Sequence, residues 1–164
     1  MDGLFDNEFC AQEPGFVELW GKKCEEIFNE GKFMNIPIKF SKTEDASHVS
    51  CDNSPFACNY CGHQGYRHIV YNLEVIKRYE FTKLEQYAFV AHEIGHIFLN
   101  HNDRRECDPL ANEINADNIA VKLGLIEPLI SGLQKIIELN TNDISERIVS
   151  LQKIINNTSN YENN

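Results

Sequence analysis

The chain has 164 residues, of which 42% are hydrophobic, and a formal net charge of −10 at pH 7. These values are typical of a globular protein with a core, and no run of residues approaches the roughly 18 apolar residues of a membrane span. Without such a run we expect no membrane role. The negative charge would repel nucleic-acid phosphates, so we do not expect direct nucleic-acid binding either.

The first residues are acidic and lack the basic start and apolar stretch of a secretory signal peptide. We therefore expect the protein to lie in the cytoplasm, with its six cysteines as reduced thiols. The length predicts a single domain over residues 1–164.

Two elements are predicted in the first 40 residues. Apolar residues at a spacing of three and four predict an amphipathic helix over residues 14–30, which Gly31 ends. The apolar positions are Phe16, Leu19, Trp20, Cys24, Ile27 and Phe28. Residues 33–40 predict a strand, and Pro37 places it at a sheet edge or a bulge.

Residues 41–65 are polar and rich in turn-forming residues, which predicts a long loop with a short strand around residues 48–49. This segment contains four potential metal ligands, namely Cys51, Cys58, Cys61 and His63. They could form a second, structural zinc site, and Cys58 with Cys61 could instead form a redox pair. Because no second closely spaced pair of ligands lies nearby, we favour a loop with neither role.

A second strand is predicted from Tyr66 to about Leu73, where apolar and aromatic residues follow one another closely. The next helix is predicted to begin near Lys83 and to end near Asn100. Its start is marked by a capping box, in which Thr82 is followed three residues later by Glu85.

This helix contains the sequence His-Glu-Ile-Gly-His at residues 92–96. Two histidines four positions apart on a helix lie on the same face, so His92 and His96 can bind one Zn²⁺. Glu93 can then reach a water on that ion. It is the only charged residue between residues 87 and 99, as expected of a buried helix whose polar groups serve a site. Gly95 would let a neighbouring backbone come close.

A further helix is predicted from Asp108 and Pro109, as N-cap and first helical residue, to Gly124. One face of it bears residues at a spacing of three and four, namely Glu113, Ala116, Asp117, Ala120 and Val121. We expect Glu113 to be the third metal ligand. We expect Asp117 to accept a hydrogen bond from the free nitrogen of a metal-binding histidine.

The C-terminal part predicts two amphipathic helices within residues 128–156 and a frayed polar tail over residues 157–164. The first helix begins at Pro128 and extends to about Asn140, and the second spans the apolar positions from Ile144 to Ile155. We expect their leucine and isoleucine face to be part of the core rather than a partner surface.

Two histidines and one glutamate, with water in the fourth position, are the ligands of a catalytic zinc site, whereas a structural site is closed by four protein ligands. A metzincin site would need glycine at position 99 and histidine at position 102. The chain has Leu99 and Asn102, which disfavours that class.

His-Glu-x-x-His followed by Glu-x-x-Ala-Asp-x-x-Ala, here Glu113 to Ala120, resembles the gluzincin metallopeptidases, and most of all the ImmA/IrrE-type family. The similarity extends from about Arg67 to Leu125. It implies a zinc peptidase with ligands His92, His96 and Glu113 and with Glu93 as general base.

The resemblance also implies a small zincin-like α+β fold. In that fold a short mixed β-sheet packs on helices, and the metal-binding helix lies in the core. The active-site part would span residues 66–125, with the strand at residues 66–73 as the upper edge of the cleft, where a peptide substrate could add as a further strand. The target in such families is often an intracellular repressor protein.

A second group should stabilise the charge that develops on the substrate carbonyl oxygen during hydrolysis. The candidates are His101, Tyr71, His68 and His63. The main alternative to an enzyme is a non-catalytic zinc-containing binding or regulatory module. Such a module has no chemical need for Glu93, so we favour the peptidase.

Overall fold

In a computed structural model, seven helices and three strands make up the described part of the chain, which covers residues 5, 7–28, 38–42, 54–61, 66–99, 101, 109–138 and 141–162. The helices are α1 (Asn7–Gln12), α2 (Pro14–Phe28), α3 (Leu73–Arg78), α4 (Lys83–Phe98), α5 (Pro109–Lys122), α6 (Ile126–Ile136) and α7 (Thr141–Glu162). The strands are β1 (Ile38–Lys42), β2 (Phe56–Cys61) and β3 (Tyr66–Tyr71). The predicted α+β class with a small mixed sheet is confirmed.

The three strands form one sheet in the order β1-β3-β2, with β1 parallel and β2 antiparallel to β3. The prediction that this third strand is the edge of a cleft is therefore wrong, because both of its sides are already paired. Ile69, Val70 and Tyr71 are consecutive and all buried, as expected of a central strand that is covered on both faces. A peptide cannot add to β3.

Strand β2 lies inside the segment that we predicted to be a loop. Its backbone places Cys58 opposite Ile69 and Cys61 opposite Tyr66 of β3. The predicted short strand at residues 48–49 lies outside the described residues, as do Cys51 and His63. The alternatives of a second metal site or a redox pair, which we did not favour, therefore stay expectations from the sequence alone.

Strand β3 ends at Tyr71, two residues before the predicted end, because Asn72 starts helix α3. The Asn72 side chain accepts hydrogen bonds from the backbone N–H groups of Glu74 and Val75, which is the usual N-cap arrangement. Helix α3 was not predicted from the sequence.

The N-terminal part contributes aromatic side chains to the core. The predicted helix at residues 14–30 is confirmed over Pro14–Phe28, and α1 before it was not predicted. Phe9, Phe16 and Trp20 are fully buried or nearly so. The ring of Trp20 stacks on Phe98 at a centroid distance of 5.7 Å and joins α2 to the end of α4. The predicted strand at residues 33–40 is observed from Ile38, since residues 29–37 lie outside the described part.

Helix α4 lies at the centre of the fold, in contact with α5, α6 and β2. The predicted capping box is confirmed: the Thr82 side chain accepts from the backbone N–H of Glu85, and the Glu85 carboxylate accepts from the backbone N–H of Thr82. Ten of the sixteen α4 residues are buried, including His92 and Glu93. The polar side chains of this helix can therefore form a site only where the packing of neighbouring helices leaves room for it.

The helices after α4 differ from the prediction mainly at their ends. Helix α5 begins at Pro109 and is followed by Gly124 with a φ of 75°, as predicted, while Asp108 lies outside the described residues. Helix α6 begins at Ile126, two residues before the predicted start, and ends at Ile136. Helix α7 extends to Glu162, through residues that we predicted to be a frayed tail. None of the helices in the described ranges is both long and apolar enough to cross a membrane.

Candidate metal centre

One turn of α4 brings the two histidines of the motif together. The Nε2 atoms of His92 and His96 lie 3.0 Å apart, and the two rings are almost perpendicular, at 87°. This follows from the helix itself, since side chains four residues apart lie on the same face. His92 is buried and His96 is half-buried.

Helix α5 supplies the third group. The Glu113 carboxylate places Oε2 at 3.2 Å from the Nε2 of His92 and Oε1 at 3.2 Å from the Nε2 of His96. Within the described ranges, these three residues are the one group of histidine, cysteine and acidic side chains that could hold a metal ion. The structure thus brings the three predicted ligands together.

The outer nitrogen of His92 faces the carboxylate of Asp117, as predicted. Its Nδ1 lies 2.7 Å from Asp117 Oδ1, and both side chains are buried. A carboxylate can only accept a hydrogen bond, so Nδ1 carries a proton and donates it. Once Nε2 gives up its own proton to a metal ion, its lone pair is directed at His96 and Glu113. This is the arrangement that prepares a histidine to bind a metal.

His101 contacts the outer nitrogen of His96. The two Nδ1 atoms are 2.9 Å apart, and the backbone N–H of His101 donates to the carbonyl oxygen of His96. Burial and the neighbouring charge of His96 lower the pKa of His101, which keeps its imidazole neutral and able to accept from His96. His101 thus lies on the side of His96 that faces away from Glu113. Its predicted role, to stabilise the charge on the substrate carbonyl oxygen, stays a prediction.

The distances fit a divalent metal ion. Two histidine nitrogens with facing lone pairs repel each other at 3.0 Å unless a proton or a metal ion lies between them. Ligand bonds of 2.0–2.2 Å in a tetrahedral site place neighbouring ligand atoms about 3.3–3.6 Å apart. The two Nε2 atoms are 3.0 Å apart, and each lies 3.2 Å from one Glu113 oxygen, so the side chains need to move apart only slightly to hold the ion.

The ionisable groups of the centre strongly change one another's pKa values. Burial and the charge of Arg147 would lower the pKa of His92, but Asp117 and Glu113 outweigh them and raise it to about 9. Burial would raise the pKa of Glu113, but the imidazoles of His92 and His96, followed by Arg147, hold it far below its usual range. For Asp117, too, burial is outweighed by His92 and Arg147, and its pKa is lowered.

Arg147 on α7 is a member of the centre that was not predicted from the sequence. It is buried, and its Nε and Nη2 donate to the two carboxylate oxygens of Asp117 at 2.9 and 2.6 Å. Its Nη1 donates to Glu113 Oε2 at 3.0 Å, and its Nη2 lies 3.2 Å from His92 Nδ1. The sequence did carry a signal, because Arg147 occupies the apolar face of α7, whose other members are Ile144, Ile148 and Leu151.

Glu93 is buried beside His92, as expected of a residue that serves the site. Among the described residues, none forms a hydrogen bond or ion pair with its carboxylate, so no protein partner in those ranges holds it away from a water molecule. Its charge still acts on the centre: burial would lower the pKa of Arg147, but Asp117, Glu113 and Glu93 outweigh this and raise it.

Two of the remaining candidates for the substrate oxygen lie on β3, and the third, His63, lies outside the described residues. The Tyr71 hydroxyl donates to Gln12 at 3.2 Å, and its ring stacks on Phe40 at 4.7 Å, which places Tyr71 in the core beside β1 and α1. His68 is half-buried, in register with Lys39 of β1 and Asn59 of β2. Their predicted role at the substrate oxygen stays a prediction.

No protein-family model, no curated protein and no solved structure matches this chain significantly. The interpretation of the centre therefore depends on its own geometry and chemistry.

Proposed function

We propose that this protein is a zinc-dependent endopeptidase with a zincin-like fold. The observation that carries the proposal is that three potential ligands from two adjacent helices lie together. The Nε2 atoms of His92 and His96 are 3.0 Å apart, and each lies 3.2 Å from an oxygen of the Glu113 carboxylate. Three protein ligands of these types leave one position for water, which is the ligand pattern of catalytic zinc.

Each residue of the centre has a role in peptide hydrolysis. A bound zinc ion would polarise the scissile carbonyl and lower the pKa of its water to about 7. Glu93 would take the proton of the attacking water and pass it to the leaving nitrogen. Asp117 and His101 would hold the two imidazoles in the tautomer that leaves Nε2 free.

The sheet suggests where a substrate would bind. In the described sheet β1 and β2 are the two edge strands. Ile38 of β1 is bridged to Phe5 on its outer side, whereas β2 contacts helix α4, which carries the proposed ligands. An extended peptide could therefore pair with β2 through main-chain hydrogen bonds. This takes the place of the predicted role of β3. By its resemblance to ImmA/IrrE-type proteases, the target would be a specific intracellular protein such as a transcriptional repressor.

The test compares the wild type with Glu93→Gln and, as a control, Glu127→Gln on the exposed face of α6. Protein termini in host cells that express each form are compared by mass spectrometry, and zinc content is measured on the purified proteins. We expect one zinc per chain in all three forms and new cleavage termini with the wild type and Glu127→Gln alone.

Two results would contradict the proposal in different ways. Zinc binding without any cleavage that depends on Glu93 would favour the non-catalytic binding module. If the wild type binds no zinc, or if His92→Ala still binds it, the proposed metal centre itself is wrong.

A further inference from the structure

We propose that Arg147 is a positioning residue of the metal centre: it holds Oε2 of Glu113, so that Oε1 alone binds the ion, and it orients Asp117 against His92. The inference rests on the proposed zinc site and extends that site to α7, the last of the described helices.

The guanidinium joins two carboxylates on successive turns of α5. Glu113 and Asp117 are four residues apart and therefore neighbours on one helix face, where like charges repel. Arg147 occupies both oxygens of Asp117 and one oxygen of Glu113, using three of its N–H groups. Its planar, rigid set of donors suits this task, which the single ammonium of lysine cannot perform in the same way.

The contacts make the two oxygens of Glu113 inequivalent. Each oxygen lies 3.2 Å from one histidine nitrogen, Oε2 from His92 Nε2 and Oε1 from His96 Nε2. Oε2 also accepts a hydrogen bond from Arg147 Nη1 at 3.0 Å, whereas the guanidinium makes no such bond to Oε1. A hydrogen bond from a cation draws electron density from the oxygen that accepts it. Oε1 is therefore the stronger donor to a metal ion, and the pairing favours a one-oxygen ligand and a low coordination number.

The charges lead to the same conclusion. With neutral histidines, Glu93, Glu113 and Asp117 carry three negative charges and Arg147 carries one positive charge, so two negative charges remain. One divalent cation balances them. Without the guanidinium, the same sheltered centre would keep an excess negative charge even with the ion bound, which is unfavourable away from water.

The test uses Arg147→Gln and Arg147→Lys, with Lys153→Gln on the exposed face of α7 as a control that also removes a positive charge. Zinc affinity is measured by competition with a chelator, and coordination is read from the visible absorption of the Co²⁺-loaded protein. We expect Arg147→Gln to weaken zinc binding by about 10- to 100-fold. Its Co²⁺ bands should also lose intensity, because the second Glu113 oxygen becomes a ligand and the coordination number rises.

Arg147→Lys keeps the charge but not the planar donors. It should therefore lose less affinity than Arg147→Gln, yet show the same change in the Co²⁺ spectrum. Lys153→Gln should leave both unchanged. A lower melting temperature with unchanged affinity and spectrum would show a merely structural role and overturn the inference.

The outcomes separate this inference from the proposed function. A wild type that binds neither Zn²⁺ nor Co²⁺ overturns both, whereas normal binding that neither arginine variant alters overturns the inference alone. If both variants fail to fold, the wild type is examined by NMR. The NMR signal of the Arg147 Nε–H should exchange slowly with water and shift when zinc is added. If that signal is not observed, or does not shift with zinc, the proposal is contradicted.

Discussion

Gly95 lies directly against the backbone of Ala116, so that a β-carbon on Gly95 would be only 2.7 Å from the Ala116 Cα atom. Real β-carbons do not approach other atoms so closely. The two helices α4 and α5 can therefore be this near each other only because residue 95 has no side chain. Since Gly95 precedes His96, and Ala116 is one turn from Glu113, this contact sets the distance between the metal ligands.

The substitution Gly95→Ala should push α5 away from α4. We expect the free energy of unfolding to fall by about 2 kcal/mol, the usual result of overpacking. Zinc affinity should fall by about tenfold, because Glu113 moves away from the histidines. Chemical denaturation and chelator competition measure the two effects.

The matched control is Gly21→Ala in α2, where a β-carbon would meet nothing within 4 Å. Alanine is the better helix former, so this variant should gain up to about 1 kcal/mol of stability and keep its zinc affinity. Equal behaviour of the two variants would contradict the role of Gly95 as a spacer.

Asp117→Asn should weaken zinc binding by about 10- to 100-fold. The amide can still accept from His92 Nδ1, but it lacks the charge that increases the basicity of the imidazole and pairs with Arg147. Isothermal titration with Zn²⁺ measures the change. Asp143→Asn, at the start of α7, removes a carboxylate outside the centre and should leave the affinity unchanged. Unchanged affinity in Asp117→Asn would show that the His92 contact does not tune the metal.

His101 should act on the metal through His96. His101→Gln retains an oxygen that can accept the hydrogen bond from His96 Nδ1, whereas His101→Leu does not. We therefore expect His101→Leu to lose more zinc affinity than His101→Gln, as measured by chelator competition. If both variants bind zinc normally but lose turnover equally, His101 would instead serve the substrate, as the sequence had suggested.

Glu85 should make the protein sensitive to acid. Its carboxylate accepts hydrogen bonds from the Thr82 backbone, Ser131 and Lys135 at 2.6–2.7 Å. Burial would raise the pKa of Glu85, but these donors outweigh it and lower the pKa below its usual 4.5. In the unfolded chain the group takes up a proton at higher pH, so its stabilising contribution is complete above about pH 4.5 and is lost as the pH falls through the folded-state pKa.

The measurement is urea unfolding of the wild type and Glu85→Gln between pH 7 and pH 3. At pH 7 the variant should be less stable by about 2–4 kcal/mol, since buried donors lose a charged acceptor. The difference should shrink as the pH falls. For Glu127→Gln, an exposed substitution, the free energy of unfolding should depend on pH as in the wild type. A stability difference between Glu85→Gln and the wild type that stays constant at all pH values would contradict the lowered pKa of Glu85.

The sequence predicted the helices of the centre well because their signals are local. The capping box at Thr82, the histidine spacing in α4 and Gly124 after α5 depend on residues within one or two turns of each other. The position of Glu113 followed from the same rule, because residues on one helix face can be read from their spacing.

Features that depend on distant contacts were missed. The run of apolar residues in β3 shows burial but not which strands lie beside it, so its central position was not predictable from that run. Helix α3 has only six residues, too few for a helical period to be distinguished from the preceding strand. Arg147 was readable only as a charge on an apolar face, and its partners lie 30 and 34 residues away.

The order of residues along the chain has a consequence for biosynthesis. Translation releases His92, His96 and Glu113 from the ribosome before Arg147, so the nascent polypeptide carries its ligands for a time without their guanidinium partner. On the proposed function, a peptidase that reaches its full zinc affinity only when α7 docks would be less active towards neighbouring proteins while it is being made. A nonsense mutation upstream of α7 would likewise leave a fragment that binds zinc more weakly than the full chain.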